Sequence, residues 1–258
     1  MVRNVKMAGN IVRMPKIRQV DDEVSALRQQ LLFAFHIVDM LGQPSGMGSH
    51  LTARLPGANT FFFHVHNFGF GEVTPDLIHE ADFELNVVSG KNVDVNPTLH
   101  IHTQIYAARP DVACILHTHA KHVTALSALG ENIQVITQSG ARLHNECVLF
   151  DEDDGVALGK GPGSAMARAL EQKSCMVLKN HGLLTAAASI PAAVILADTM
   201  EKEAEMLLMA KAAGALAPPS AEGSERTKEF LHNEKAFGRG WTYLMRRLAL
   251  RRPDIMNM

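Results

Sequence analysis

The sequence predicts a single α/β domain with an N-terminal extension over residues 1–21 and a helical arm over residues 217–258. Three observations carry this. Helix-like and strand-like segments alternate through the middle of the chain with no linker between them. Apolar residues make up 47% and charged residues 20% of the 258 positions, a globular composition. The one Pro/Ser/Gly-rich stretch, residues 217–224, falls near the end and closes the domain at about residue 216.

Each element has its own signal. Residues 23–41 read as a helix, with Leu27, Leu31, Ala34, Phe35 and Val38 forming an apolar stripe. Gly42, Pro44, Gly46 and Gly48 then impose a loop. Strand-like runs follow at 51–55 and 60–65; the Phe61-Phe62-Phe63 run fits a buried strand better than a binding-pocket wall. Asn96-Pro97 is a cap followed by proline at the first helical position, opening a helix that stops at Ala108 before Pro110. Residues 112–116 form a continuous apolar strand, 121–129 a helix, 175–178 a second buried strand and 191–213 a long Ala/Met-rich helix. The last helix carries Trp241 and Tyr243 and reads as an arm for a neighbouring subunit.

Composition also excludes. A formal charge of −2 is not the basic excess of a nucleic-acid binder. The basic clusters at Lys16-Ile17-Arg18 and around Arg246, Arg247, Arg251 and Arg252 read as solvated or subunit-contacting surface. Cys114, Cys147 and Cys175 are odd in number and contain no CxxC pair, so reduced thiols in a cytoplasmic protein are expected. No apolar run suits a signal peptide or a bilayer span, and no membrane association is expected.

The chemistry concentrates in histidines. His117-Thr118-His119 closes an apolar strand, and alternation along a strand puts both imidazoles on one side, within reach of a single cation. Asn180-His181-Gly182 follows the next apolar strand, with Gly182 expected to let the backbone turn. Three histidines at strand ends make a ligand set with open positions, as a catalytic metal requires. Three imidazoles are compatible with Zn2+, Mn2+ or Fe2+.

Taken in order, Arg109-Pro110-Asp111-Val112, His117-Thr118-His119 and Asn180-His181-Gly182 resemble the signature of the class II aldolase/adducin family. Residues 46–54 resemble its glycine-rich loop, and Glu72-Val73-Thr74 with Asp76-Leu77 its next element. The resemblance covers about residues 22 to 213. It implies a three-layer fold, a mainly antiparallel sheet between helix layers. It also implies one divalent metal ion held by His117, His119 and His181, and a homotetramer with sites at subunit boundaries.

Two departures from that pattern narrow the chemistry. The sugar-phosphate members carry an acidic residue nineteen positions before the first metal histidine, and here that position is Thr98. A threonine hydroxyl has no accessible pKa near neutrality and cannot replace that acid/base. The family's phosphate turn is replaced by His64-Val65-His66-Asn67-Phe68. The expectation is therefore a metal-dependent decarboxylase of a hydroxylated, aromatic or vinylogous carboxylic acid. An iron oxygenase, a phosphate-independent aldolase and a non-catalytic adducin-like interaction module are the alternatives. Around the metal, His50 is expected to orient the substrate carboxylate or to make a loop hydrogen bond. Arg142, near His144, is a second candidate for that carboxylate. His102 and Tyr243 are candidate proton donors, Tyr243 together with Arg246 from a neighbouring chain. Thr98, His102 and Tyr106 share one helix face. His100 is expected off the site, His64 and His66 to line the pocket, and Arg54 to be structural.

Overall fold

The computed structural model describes residues 6–7, 10–11, 22–43, 48–88, 93–152 and 159–258. Most of the predicted extension, with Lys16-Ile17-Arg18, and Gly46-Met47 of the glycine-rich loop lie outside these residues. A two-residue antiparallel ladder, β1 (Lys6–Met7) with β2 (Asn10–Ile11), precedes the domain.

α1 (Glu23–Met40) starts at Asp22, whose carboxylate accepts the Ser25 backbone N–H at 2.6 Å. The strands β3 (His50–Ala53), β4 (Thr60–His64), β5 (Ile78–Asp82), β6 (Cys114–Thr118), β7 (Cys147–Phe150), β8 (Cys175–Leu178) and β9 (Gly182–Ala187) form one sheet in the order β5-β4-β3-β6-β9-β8-β7. Every neighbouring pair is antiparallel except β7 with β8. The remaining helices are α2 (His100–Ala108), α3 (Lys121–Ser127), α4 (Lys160–Leu170), α5 (Ile190–Ala213), α6 (Ala221–Leu231) and α7 (Glu234–Arg251).

Alternation along the strands builds two cores. On one face Phe62, Cys114, Leu116, Val177, Leu183 and Ala187 pack with residues of α1, α3, α5 and α7. On the other Phe61, Phe63, Ile115, Met176, Leu184 and Ala186 pack with α2 and α4. The Phe61–Phe63 run is a buried strand spanning both cores; each fully buried ring contributes about 1.5–3 kcal/mol. The result is the three-layer architecture expected.

The sequence reading differs from the structure in three places. The segment 217–224 is only in part a linker, because Ser220 caps α6 and accepts from the Gly223 N–H. α7 packs on its own chain: Phe237, Leu244, Met245 and Leu248 join the core against α1 and α5. Tyr243 stays on its outer side, 52% exposed. Finally, β1, β2, β5, β7, β9, α4 and α6 are further elements that the sequence reading does not mark. Among the described residues no helix is long and apolar enough to cross a membrane.

Candidate metal centre

His117 lies in β6 and His119 just beyond its end, while His181 is the last residue of the three-residue turn joining β8 to β9. That turn closes with the His181 N–H donating to Leu178 O at 3.0 Å. Asn180, at φ 55°, supplies its left-handed residue, a conformation asparagine tolerates. Gly182 does not make the turn, contrary to expectation. It is required by close approach, since a Cβ there would stand 2.4 Å from the Thr118 carbonyl oxygen and 3.1 Å from His119 Cα. The small residue lets β9 and its turn lie against the strand end that carries the other two histidines.

The three rings converge. Ring centroids are 4.9 Å apart for His117–His119 and 4.7 Å for each pair with His181. One nitrogen from each lies within 4.8 Å of the others, the one such cluster among the described residues. His117 Nδ1 donates to Leu183 O at 2.8 Å, which leaves Nε2 as the free lone pair. That atom is 3.1 Å from His119 Nε2. Metal–nitrogen bonds of about 2.0–2.1 Å put neighbouring ligand nitrogens roughly 3.0–3.4 Å apart. The donor set therefore fits a divalent cation in type, tautomer and spacing.

Burial keeps these imidazoles neutral. His117 is pushed well below its ordinary range by burial, then by His50, His181 and His119. Burial lowers His119, and burial with His119 beside it lowers His181 to about 4. A neutral imidazole is the form that binds metal.

A fourth imidazole adjoins them. β3 and β6 pair His50 with His117, and the two rings lie 4.6 Å apart. His50 is pushed well below its usual range by burial and by His102, with smaller contributions from His64, His181 and His119. His50 Nδ1 meets His102 Nε2 at 2.6 Å, and His102 Nδ1 meets Thr52 Oγ1 at 2.7 Å. Thr52 Oγ1 is also 2.8 Å from the Tyr106 hydroxyl. His102 is fully buried with both nitrogens engaged, so it reaches the site only through His50; as a direct proton donor it is displaced. Thr52 and Tyr106 were not picked out as site residues. Their signals, alternation with His50 and i,i+4 spacing from His102, acquire meaning only when β3 and α2 face each other.

Arg142 is not brought to the histidines. Its guanidinium donates to Leu231 O and Thr199 Oγ1, both at 3.1 Å, and lies 5.6 Å over the Phe237 ring. It ties the 3-10 turn Gly140–Leu143 to α5, α6 and α7, which is a packing role. His144 sits 3.7 Å from Glu225. Tyr243 lies outside the cluster as well, with Arg247 over its ring. Thr98 turns to its own cap, donating to Asn96 Oδ1 at 2.7 Å. His64 is buried against Phe35 and Phe70, with Nε2 donating to Phe68 O at 3.1 Å. His66 lies beside Asp94, and His100 keeps a buried Nδ1 without a partner. Arg54 is structural as expected: it donates to the carbonyls of Val112, Tyr106, Arg109 and Ala58.

The sequence family described as "Class II Aldolase and Adducin N-terminal domain" matches residues 29–208. The chain is 28% identical over 215 residues to "4-hydroxy-3-prenylphenylpyruvate oxygenase/4-hydroxy-3-prenylbenzoate synthase" of Streptomyces roseochromogenus subsp. oscitans, covering 83% of this chain and 78% of that one. It is 28% identical over 215 residues to "Decarboxylase NovR" of Streptomyces niveus, covering 83% and 80%. Among solved structures, L-fuculose 1-phosphate aldolase from Glaciozyma antarctica PI12 superposes with a TM-score of 0.83 at 27% identity, covering 94% of this chain and 96% of that one.

Proposed function

Because this chain belongs to the family of class II aldolase and adducin N-terminal domains, we propose that it is a metal-dependent lyase that removes CO2 from a hydroxylated carboxylic acid. His117, His119 and His181 would hold the cation. Relatives at 28% identity carry the names decarboxylase and oxygenase, and a structural neighbour is a sugar-phosphate aldolase. The chain's own residues favour the first. The observation that carries the reading is Thr98: where an aldol acid/base would stand there is a hydroxyl, bonded to Asn96. Among the described residues, the cluster of side chains able to hold the cation consists of three imidazoles and contains no carboxylate.

Decarboxylation suits such a site. The bond between the ring or vinyl carbon and the carboxylate breaks, CO2 departs, its electron pair stays on carbon, and a proton replaces it. No base has to remove a proton first. A bound cation supplies Lewis acidity toward the substrate's hydroxyl oxygen. Three neutral imidazoles leave the cation's charge undiminished for an anionic substrate, and Zn2+, Mn2+ and Fe2+ all accept them. His50, beside His117 and anchored from behind by His102, would hold the carboxylate. The free, buried thiols suit a cytoplasmic setting.

The test has two stages. Protein purified without added metal should carry close to one equivalent of a divalent ion, lost in His117→Ala. The loaded protein should then release CO2 from dihydroxybenzoates or related hydroxy-dienoates and leave fuculose 1-phosphate and ribulose phosphates untouched. Turnover of the phosphates overturns the reading in favour of an aldolase. Oxygen uptake in step with product overturns it in favour of an oxygenase.

A further inference from the structure

Behind the cation site runs an unbroken file of four hydrogen-bonding side chains: Tyr106, Thr52, His102 and His50. Tyr106, Thr52 and His102 are each no more than 1% exposed, so water cannot stand in there for a missing partner, whereas His50 closes the file at the end beside the cation site. Proton counting then fixes its direction. The Tyr106 hydroxyl must give its proton to an acceptor, and the side-chain oxygen within reach is Thr52 Oγ1. The phenol oxygen itself takes a backbone hydrogen bond at Ile115. Tyr106 therefore donates to Thr52. Thr52 has one proton, which goes to His102 Nδ1. A neutral His102 that accepts at Nδ1 carries its proton on Nε2 and donates it to His50 Nδ1. His50, accepting there, carries its own proton on Nε2, the nitrogen directed away from His102. The reverse direction would strand the phenol proton in the interior.

We propose that Tyr106 and Thr52, acting through His102, are positioning residues that hold His50 as an Nε2–H donor, and that this donor recognises a carboxylate of a ligand held beside the cation. His50 is then neither a general base nor a fourth metal ligand, since both roles need a bare Nε2. The carboxylate half rests on the function proposed above; the tautomer half rests on hydrogen bonding alone.

The tautomer is read directly by long-range 1H–15N NMR of zinc-loaded protein labelled with 15N-histidine. The expected result is an Nε2–H tautomer for His50 and His102 and an Nδ1–H tautomer for His117. A bare or metal-bound Nε2 on His50 overturns the proposal. Salicylate, titrated into cobalt-substituted protein and followed in the visible spectrum, reads the second half. Thr52→Val should weaken salicylate tenfold or more without loss of cobalt, and Thr52→Ser should restore binding. Equal affinity in Thr52→Val and wild type overturns the recognition role. Should Thr52→Val not fold, Tyr106→Phe serves: it frees the file to reverse, and His50 should show both tautomers. An unchanged His50 spectrum in that variant overturns the role of Tyr106. The NMR result needs no turnover, so the expected tautomers and salicylate binding without CO2 release would sink the decarboxylase reading alone.

Discussion

The two residues flanking His181, Asn180 in the β8–β9 turn and Gly182 at the start of β9, divide labour in a way that substitutions can separate. Asn180 holds the left-handed backbone, and Gly182 holds the close contact with the strand end of His117 and His119. Asn180→Gly should be tolerated, within about 1 kcal/mol of wild type, because glycine adopts that conformation freely. Gly182→Ala should not. Its Cβ would press on backbone at Thr118 and His119, which cannot swing aside as a flexible side chain would. Overpacking of this kind costs about 1–3 kcal/mol, and the strain falls between the halves of the ligand set. Denaturant melts and metal content of both variants check this; a Gly182→Ala protein of full stability and full metal content would contradict it. The roles were half legible in the sequence. Asn-His-Gly announced a tight turn with a presented histidine, but which residue turned and which yielded space depends on a strand sixty residues earlier.

At the scale of elements, legibility followed how much of each signal was local. β6 and β8 are buried on both faces and read as continuous apolar runs. β5, with the sequence Ile-His-Glu-Ala-Asp, is an edge strand with too little apolar alternation to stand out. α4 contains two glycines and a proline, and its Gly163 is explained by α2, where a Cβ would stand 2.7 Å from His100 O. α3 shows the same dependence on a distant partner. Its N-cap, Ala120, has no side-chain acceptor, and Glu201 of α5 supplies one. The Glu201 carboxylate accepts from the backbone N–H of His122 and Val123 at 3.0–3.1 Å and from His122 Nδ1 at 2.8 Å. A carboxylate at a helix N-terminus contributes about 1–2 kcal/mol. His119 stands two residues before α3, so Glu201→Ala should loosen a ligand as well as a helix. A several-fold fall in zinc affinity in competition with a chelator is expected, with Glu201→Gln intermediate. Unchanged affinity in Glu201→Ala would separate the cap from the site.

Over the whole molecule, the layered α/β class was legible because apolar periodicity sets it. The strand order was not, since pairing His50 with His117 joins segments far apart in sequence. That pairing buries His50 and His117 together with His102, while His36 is buried against Val73 and His64 against Phe35 and Phe70. His36, His50, His64, His102 and His117 are all driven down from 6.5, burial being the first cause in each. Stability should therefore depend on pH in a defined window. An unfolded histidine takes up a proton near 6.5, whereas His64 in the fold does so only at about 4. Between these values the unfolded state binds more protons, so stability is complete above 6.5 and falls as pH drops toward 4. From His64 alone the loss reaches roughly 3 kcal/mol at the low end. Carboxylates such as Asp111, held low by Arg109, and Glu146, where burial pushes up but Lys228 and His232 together pull further down, act below about 4.5, so the slope above that belongs to imidazoles. Urea denaturation at pH 7, 6 and 5 in the presence of a chelator isolates it from metal release. His64→Phe keeps an aromatic against Phe35 and Phe70 and should flatten the slope by up to about 1.4 kcal/mol per pH unit, one proton's share. Parallel slopes for the variant and the wild type would mean that His64 takes up its proton in the folded state as readily as in the unfolded chain.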